Sequence, residues 1–65
     1  MEKDWVLVYS SSILHDVHMK RIYLAENGIE SVIINKQDSV YQSFGDIELY
    51  VNRDSILKAK KLIDV

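Results

Sequence analysis

Residues 46–51 constrain the fold of this chain most, because their apolar and polar side chains alternate without a break. Three aliphatic side chains would share one side of the segment: Ile47, Leu49 and Val51. Glu48 and Tyr50 would lie on the other side. A period of two is the side-chain period of a β-strand. The pattern therefore predicts a strand over residues 46–51 that has one face in the core.

Two further segments have the composition of strands, residues 5–10 and residues 29–35. The second is dense in β-branched residues, which favour strands over helices. Its Val32 and Ile34 would face one side of the sheet, and Ile33 the other. One face of the first segment would carry Trp5, Leu7 and Tyr9. Because both segments are apolar on two faces, we expect a sheet whose second face is not simply solvated.

The first helix is predicted over residues 13–27. The serines at positions 10–12 should end the first strand, and one of them should cap the helix through its side-chain oxygen. Asn27 and Gly28 are typical of a helix C-terminus. The apolar surface of this helix is wider than one face, because it also includes Met19, Ile22 and Tyr23. Part of that surface is therefore expected to meet another subunit.

The second helix is predicted over residues 54–64, with Asp54 or Ser55 as its N-terminal cap. Four apolar side chains repeat at helical spacing and should pack on the sheet: Ile56, Ala59, Leu62 and Ile63. Three lysines lie toward its C-terminal end: Lys58, Lys60 and Lys61. Cations are favourable at that end of a helix dipole, so we expect these lysines to form a solvated face.

This order of elements predicts a single α+β domain over residues 1–65 with a ferredoxin-like β-α-β-β-α topology. With the third strand between the first two, the sheet is three-stranded and antiparallel in the order 1-3-2, and both helices cover one face. The first strand then has an exposed apolar edge, and such edges pair with other chains. The predicted oligomer edge consists of Trp5, Leu7 and Tyr9. A homodimer is expected there or through the open side of the sheet.

Residues 36–45 form a predicted loop that is longer than a tight hairpin requires. Its candidate binding residues are Lys36, Asp38, Ser39, Tyr41, Phe44 and Gly45. Gly45 permits a positive φ before the next strand, and short polar side chains such as Asp38 favour a turn. Two interpretations remain open for Tyr41 and Phe44. They cap the core of a small domain, or they anchor a partner on a binding loop.

Composition excludes several classes of site. The chain has no cysteine, which excludes disulfides and thiolate metal sites and fits a reducing compartment. His15 and His18 could share a helix face, but no third ligand is recognisable, so we predict neither a metal nor a cofactor. No apolar run has the length of a membrane span, and the N-terminus does not resemble a signal peptide. A bacterial or archaeal cytoplasm is therefore the expected location.

The candidate functions are binding functions. No spacing of a nucleophile and a base is recognisable, and a small open sheet offers little concavity, so we do not expect an enzyme. The favoured function is a small regulatory or interaction module that binds a protein or small-molecule partner. The alternative is a module for RNA or other single-stranded nucleic acid, which would stack bases on three aromatic side chains expected at the open sheet face: Trp5, Tyr9 and Tyr50. The net charge of −2 argues against that alternative.

A resemblance to a known family rests on five stretches: WVLVYSSS, LAENGIESVIINK, DSVYQSFG, DIELYV and DSILKAKKLI. Together they resemble an uncharacterised bacterial family, a domain of unknown function described as signal-transducing, and they are most similar to its Bacteroidetes-type branch. The resemblance implies a fold similar to that of the nitrogen-regulatory P-II proteins and a regulatory role. It implies no chemistry. The chain lacks the long nucleotide-binding loop and the second half of P-II proteins, so binding of ATP or 2-oxoglutarate is not expected.

Overall fold

The computed structural model describes residues 4–36 and 47–63 of the chain. Its elements are, in chain order, β1 (Trp5–Ser11), α1 (Leu14–Glu26), β2 (Ser31–Asn35), β3 (Ile47–Asn52), a 3-10 turn (Arg53–Ser55) and α2 (Ile56–Ile63). The three strands form one antiparallel sheet in the order β1-β3-β2. The predicted α+β, ferredoxin-like class with strand order 1-3-2 is confirmed.

The core lies between the sheet and the two helices. The central strand β3 contributes three fully buried side chains, which are the alternating aliphatic residues Ile47, Leu49 and Val51. The helices add Val17 and Leu24 from α1 and Ala59 from α2 to the same cluster. Because both helices pack into one cluster on one side of β3, both cover the same face of the sheet. Each large aliphatic side chain buried there stabilises the fold by about 1.5–3 kcal/mol.

Within the described residues, both helices begin later than the sequence predicts. α1 has 13 residues and ends at Glu26, because the chain leaves helical conformation at Asn27. α2 has 8 residues and begins at Ile56, because residues 53–55 form the tighter 3-10 turn. Within the described ranges, neither helix combines the length and the apolar character that crossing a membrane requires.

The expected serine cap of α1 is wrong. The N-cap residue is Ile13, which offers no side-chain acceptor to the helix. Ser11 forms a local bond, in which its Oγ accepts the N–H of Ile13 at 3.0 Å. A hydroxyl that bonds two residues ahead makes a short turn and not a helix cap. Ser11 therefore shapes the corner between β1 and α1.

The predicted end of α1 is confirmed at Gly28, which has a φ of 78°. The N–H of Gly28 donates to the carbonyl of Ala25 at 3.0 Å, and the N–H of Ile29 donates to the carbonyl of Leu24 at 2.9 Å. This pair of bonds is the Schellman motif, which needs a left-handed residue at the position of Gly28. Ile29 and Leu24 are both buried, so the motif also directs the chain back into the core.

The start of α2 also differs from the prediction. The side-chain bond comes from Asn52, whose Oδ1 accepts the N–H of Asp54 at 3.0 Å. Asp54 and Ser55, the two predicted caps, lie inside the 3-10 turn that this bond begins. Because Asn52 is also the last residue of β3, one side chain ends the strand and starts the turn into α2.

β1 contains an irregularity that changes which way its side chains face. Leu7 lies opposite Tyr50, but Tyr9 lies opposite Leu49, so Val8 is an extra residue between two successive pairs. This β-bulge turns Tyr9 to the side of the sheet that carries Leu49, and Tyr9 packs against the core there. The Nζ of Lys20 on α1 lies 5.4 Å from the centroid of the Tyr9 ring. The prediction that Tyr9 shares a face with Trp5 and Leu7 is therefore wrong.

Candidate functional site

The side of the sheet opposite the helices is an apolar surface, which we call the open face. Cross-strand pairing determines which residues lie on it, because directly opposed residues point to the same side. Leu7, Tyr50 and Val32 form one row across the three strands. Ile34 and Glu48 lie in the next row, and Trp5 lies opposite Asn52 at the other end. The open face consists of Trp5, Leu7, Val32, Ile34, Glu48 and Tyr50, and the polar side chains of Ser10, Lys36 and Asn52 lie at its margins.

The open face contains five apolar or aromatic side chains and one carboxylate. Leu7 is exposed, and the others are half-buried by their neighbours in the sheet. Both described helices lie on the opposite side, so neither of them covers this face. A sheet that is apolar on two faces must bury the second face against another element or keep it as a contact surface.

A polar network lies within the open face. Glu48 Oε1 accepts two hydrogen bonds, one from Lys36 Nζ at 2.9 Å and one from the Tyr50 hydroxyl at 2.9 Å. Tyr50 reaches it because residues two apart on a strand share a side. Lys36 reaches it because Ile34, two residues earlier, lies directly opposite Glu48 and makes Lys36 a diagonal neighbour. The network therefore depends on the register of β2 on β3.

The hydrogen bonds of this network shift the pKa values of all three groups. The hydrogen bond from Lys36 holds the pKa of Glu48 below its ordinary value, although burial works in the opposite direction. The same bond raises the pKa of Lys36, and the hydrogen bond to Glu48 raises the pKa of Tyr50. The Glu48 side chain is 18% exposed and that of Lys36 is 56% exposed. Glu48 is thus an ionised carboxylate that accepts hydrogen bonds from two donors. A carboxylate in this state is suited to binding and orienting a partner and not to transferring a proton.

The predicted binding loop is described only at its first residue. Lys36 lies at the edge of the open face, on the Glu48 carboxylate. The remaining candidates, Asp38, Ser39, Tyr41, Phe44 and Gly45, lie outside the described residues. Both interpretations of Tyr41 and Phe44 therefore stay predictions.

The predicted oligomer edge is divided by the bulge. Trp5 and Leu7 lie on the open face of β1, which is an outer strand of the described sheet. Tyr9 lies on the helix side, so the three residues do not form one surface. Bulges also disturb the regular row of backbone groups that an added strand would pair with. The face of β1, more than its edge, offers the apolar contact surface.

Sequence reasoning placed Trp5 and Tyr50 on an open sheet face but did not identify the polar network at its centre. The sequence pattern assigned Glu48 and Tyr50 to the polar side of the predicted strand 46–51. It assigned Val32 and Ile34 to one side of the predicted strand 29–35. The i, i+2 spacing of Glu48 and Tyr50 on a strand was the available signal for their hydrogen bond. No comparable signal in the sequence predicts the contact of Lys36 with Glu48, because that contact depends on the pairing of two strands that are distant in sequence.

A half-open cleft of about 300 Å³ lies near the end of α1 and the start of β2. Its apolar wall consists of Ile22, Ala25 and Ile29. Its charged side chains belong to exposed residues, and the described residues contain no group of three His, Asp or Glu side chains placed to hold a metal. The cleft therefore brings together no acid–base pair in the surroundings that catalysis requires.

A comparison of the chain with models of known protein families finds no match. Comparisons with curated proteins and with solved structures also find no match.

Proposed function

We propose that this protein is a small non-catalytic interaction module that binds a protein partner through the open face. The observation behind this proposal is the row of Leu7, Tyr50 and Val32, which crosses all three strands of the sheet. Neither described helix covers the face on which this row lies. Such a surface is typical of a contact region and costs solubility when it stays exposed. The regulatory role that the family resemblance implies is part of the proposal, since a module of this kind acts through what it binds.

The composition of the face fits a protein partner. Trp5 and Tyr50 are the residue types that most often contribute large shares of binding energy, because a rigid ring buries a large area at a small entropic cost. The carboxylate of Glu48 and the ammonium of Lys36 pair with each other on the face. This ion pair adds no net charge where an apolar partner surface would dock, and it provides a polar contact that orients the partner.

A nucleic-acid partner is the second candidate, favoured by the two aromatic side chains, Trp5 and Tyr50. Bases stack on such rings, but binding of a single strand also needs free cations along its backbone. On the described part of the open face the cation is Lys36, and Glu48 already neutralises it. A labelled single strand should therefore show no salt-dependent affinity in fluorescence anisotropy, and a clear decrease of affinity with added salt would favour nucleic acid instead.

Two leucine-to-lysine variants test the proposal. Leu7→Lys places a charge on the open face, and Leu57→Lys places the same charge on α2, where Leu57 is 76% exposed. Proteins captured from a lysate of the host cell by the unmodified chain are compared, by quantitative mass spectrometry, with those captured by each folded variant. The proposal expects a specific partner that Leu7→Lys loses and Leu57→Lys retains. Equal retention by both variants would show that the open face is not the contact surface.

A further inference from the structure

α1 has a second apolar side, which faces away from the sheet. Its core side is formed by Val17 and Leu24, both fully buried. On its other side Met19 is 50% exposed, Ile22 is 47% exposed and Tyr23 is 42% exposed. A surface helix of a small domain normally has one apolar stripe and a polar opposite face. α1 therefore carries an apolar surface that the core does not explain.

The outward side chains follow the spacing of a helix-packing seam. Four exposed residues form what we call the outer stripe: His15, Met19, Ile22 and Glu26. Their separations of four, three and four residues are those of the a and d positions of a heptad repeat. At 3.6 residues per turn the four positions fall within an arc of roughly 60°, opposite the buried side of the helix. The apolar residues Met19 and Ile22 lie at the centre of the stripe, and an ionisable residue lies at each end.

The outer stripe is complementary to itself in one orientation. If two copies of α1 pair antiparallel about an axis between residues 20 and 21, Met19 of each copy lies beside Ile22 of the other. The same symmetry places His15 of each copy beside Glu26 of the other. A parallel pair would instead place the two Glu26 carboxylates side by side, which like charges oppose. The apolar centre could be buried in either orientation, and the Glu26 carboxylates therefore favour the antiparallel arrangement.

We propose that a second copy of this chain docks on the outer stripe of α1 and forms an antiparallel, two-fold symmetric helix pair. Such a contact is closed, because each copy uses the same surface and no further copy can add to it. α1 is about 20 Å long at 1.5 Å per residue, so the contact is smaller than a standard protein interface. The dimer is therefore weak, with dissociation in the micromolar range. The pairing is independent of the proposed function, since the open face lies on the other side of the sheet and stays free.

Engineered cysteines test the register, because the natural chain contains no cysteine. In the proposed pair, positions 15 and 26 of opposite copies lie side by side, whereas position 15 of one copy lies roughly 16 Å along the helix from position 15 of the other. A disulfide needs Cα atoms within about 7 Å. The double variant H15C/E26C should therefore oxidise to a covalent dimer, and H15C alone and E26C alone should not. The two cysteines of one copy are also too far apart to bond to each other.

Sedimentation measures the unlinked dimer. The unmodified chain should shift from one to two copies over the micromolar range, and Ile22→Glu should sediment as a single copy with an unchanged circular dichroism spectrum. Leu57→Glu is the matched control and should dimerise normally, because Leu57 lies on the exposed side of α2. A monomer at all concentrations, a dimer that survives Ile22→Glu, or equal cross-linking of single and double cysteine variants would each overturn the proposal. Loss of the dimer in Leu7→Lys but not in Ile22→Glu would place the contact on the open face instead.

Discussion

Replacing Gly28 by alanine measures what the left-handed backbone conformation at this position costs an L-residue in stability. Gly28 has a φ of 78°, in the left-handed region that side chains disfavour. A Cβ added there would meet no atom within 4 Å, so the substitution introduces no collision. Its cost is therefore the conformational strain of a left-handed L-residue, which is about 1–2 kcal/mol. Alanine also restricts the unfolded chain, which offsets about 0.4–1 kcal/mol of that strain.

The net expectation for Gly28→Ala is a loss of about 0–1.6 kcal/mol in the free energy of unfolding, with a central value of about 0.8 kcal/mol. For a domain of this size, each kcal/mol lowers the midpoint of thermal unfolding by about 4–8 °C. Urea and thermal unfolding, both followed by circular dichroism at 222 nm, measure the two quantities. The slope of the urea transition should not change, because the substitution leaves the exposed surface of both states unaltered.

Two further variants at position 28 test whether backbone strain causes the loss of stability in Gly28→Ala. Gly28→Asn should lose less stability than Gly28→Ala, because asparagine tolerates the left-handed region. A chemically synthesised chain with D-alanine at position 28 should be at least as stable as the natural chain, because a D-residue prefers positive φ and restricts the unfolded chain. If L- and D-alanine destabilise the protein equally, the left-handed conformation is not the source of the cost, and the assignment of this helix end is wrong.

Three further predictions follow from the core, the open face and the start of α2. Leu49→Ala should cost about 2–5 kcal/mol in urea unfolding, since Leu49 is fully buried, whereas Leu57→Ala should change stability by less than about 0.5 kcal/mol. Glu48→Gln should remove less than about 1 kcal/mol near pH 7, because the pair with Lys36 is only partly buried. Asn52→Ala should cost about 0.5–2 kcal/mol, because it removes the acceptor for the N–H of Asp54.

The prediction for Glu48 has a definite pH dependence. Its pKa is lower in the folded state than in the unfolded state, because of the hydrogen bond from Lys36. The unfolded state therefore binds more protons in the acid range, and the stabilisation is present above the ordinary glutamate pKa. It is lost as the pH falls through the folded pKa. The stability difference between the natural chain and Glu48→Gln should accordingly vanish in acid, and a difference that grows on acidification would contradict the assignment.

Matched substitutions control the other two predictions. Asn52→Asp retains a side-chain acceptor for the capped N–H, so it should keep most of the stability that Asn52→Ala loses. Equal losses in both variants would indicate that Asn52 acts through the sheet and not as a cap. For the core, equal effects of alanine at Leu49 and at Leu57 would contradict the side of β3 assigned to the helices.

The sequence by itself determined the features that depend on short-range geometry. The alternation of residues 46–51 identifies the core side of β3, because a strand has a side-chain period of two wherever it pairs. Gly28 identifies the end of α1, because few other residues adopt the positive φ of that motif. The order of the elements then leaves few topologies for so short a chain, and the sheet order 1-3-2 is one of them.

Only the tertiary structure decided the features that depend on register between distant segments. The bulge at Val8 turns Tyr9 toward the core, and it is defined by the pairing of β1 with β3. The contact of Lys36 with Glu48 depends on the pairing of β2 with β3 in the same way. Local propensity also leaves the acceptor at a helix start undecided, so Asn52 took the role expected of Asp54 or Ser55. In each case several local choices are close in energy, and the packing of the whole sheet selects one of them.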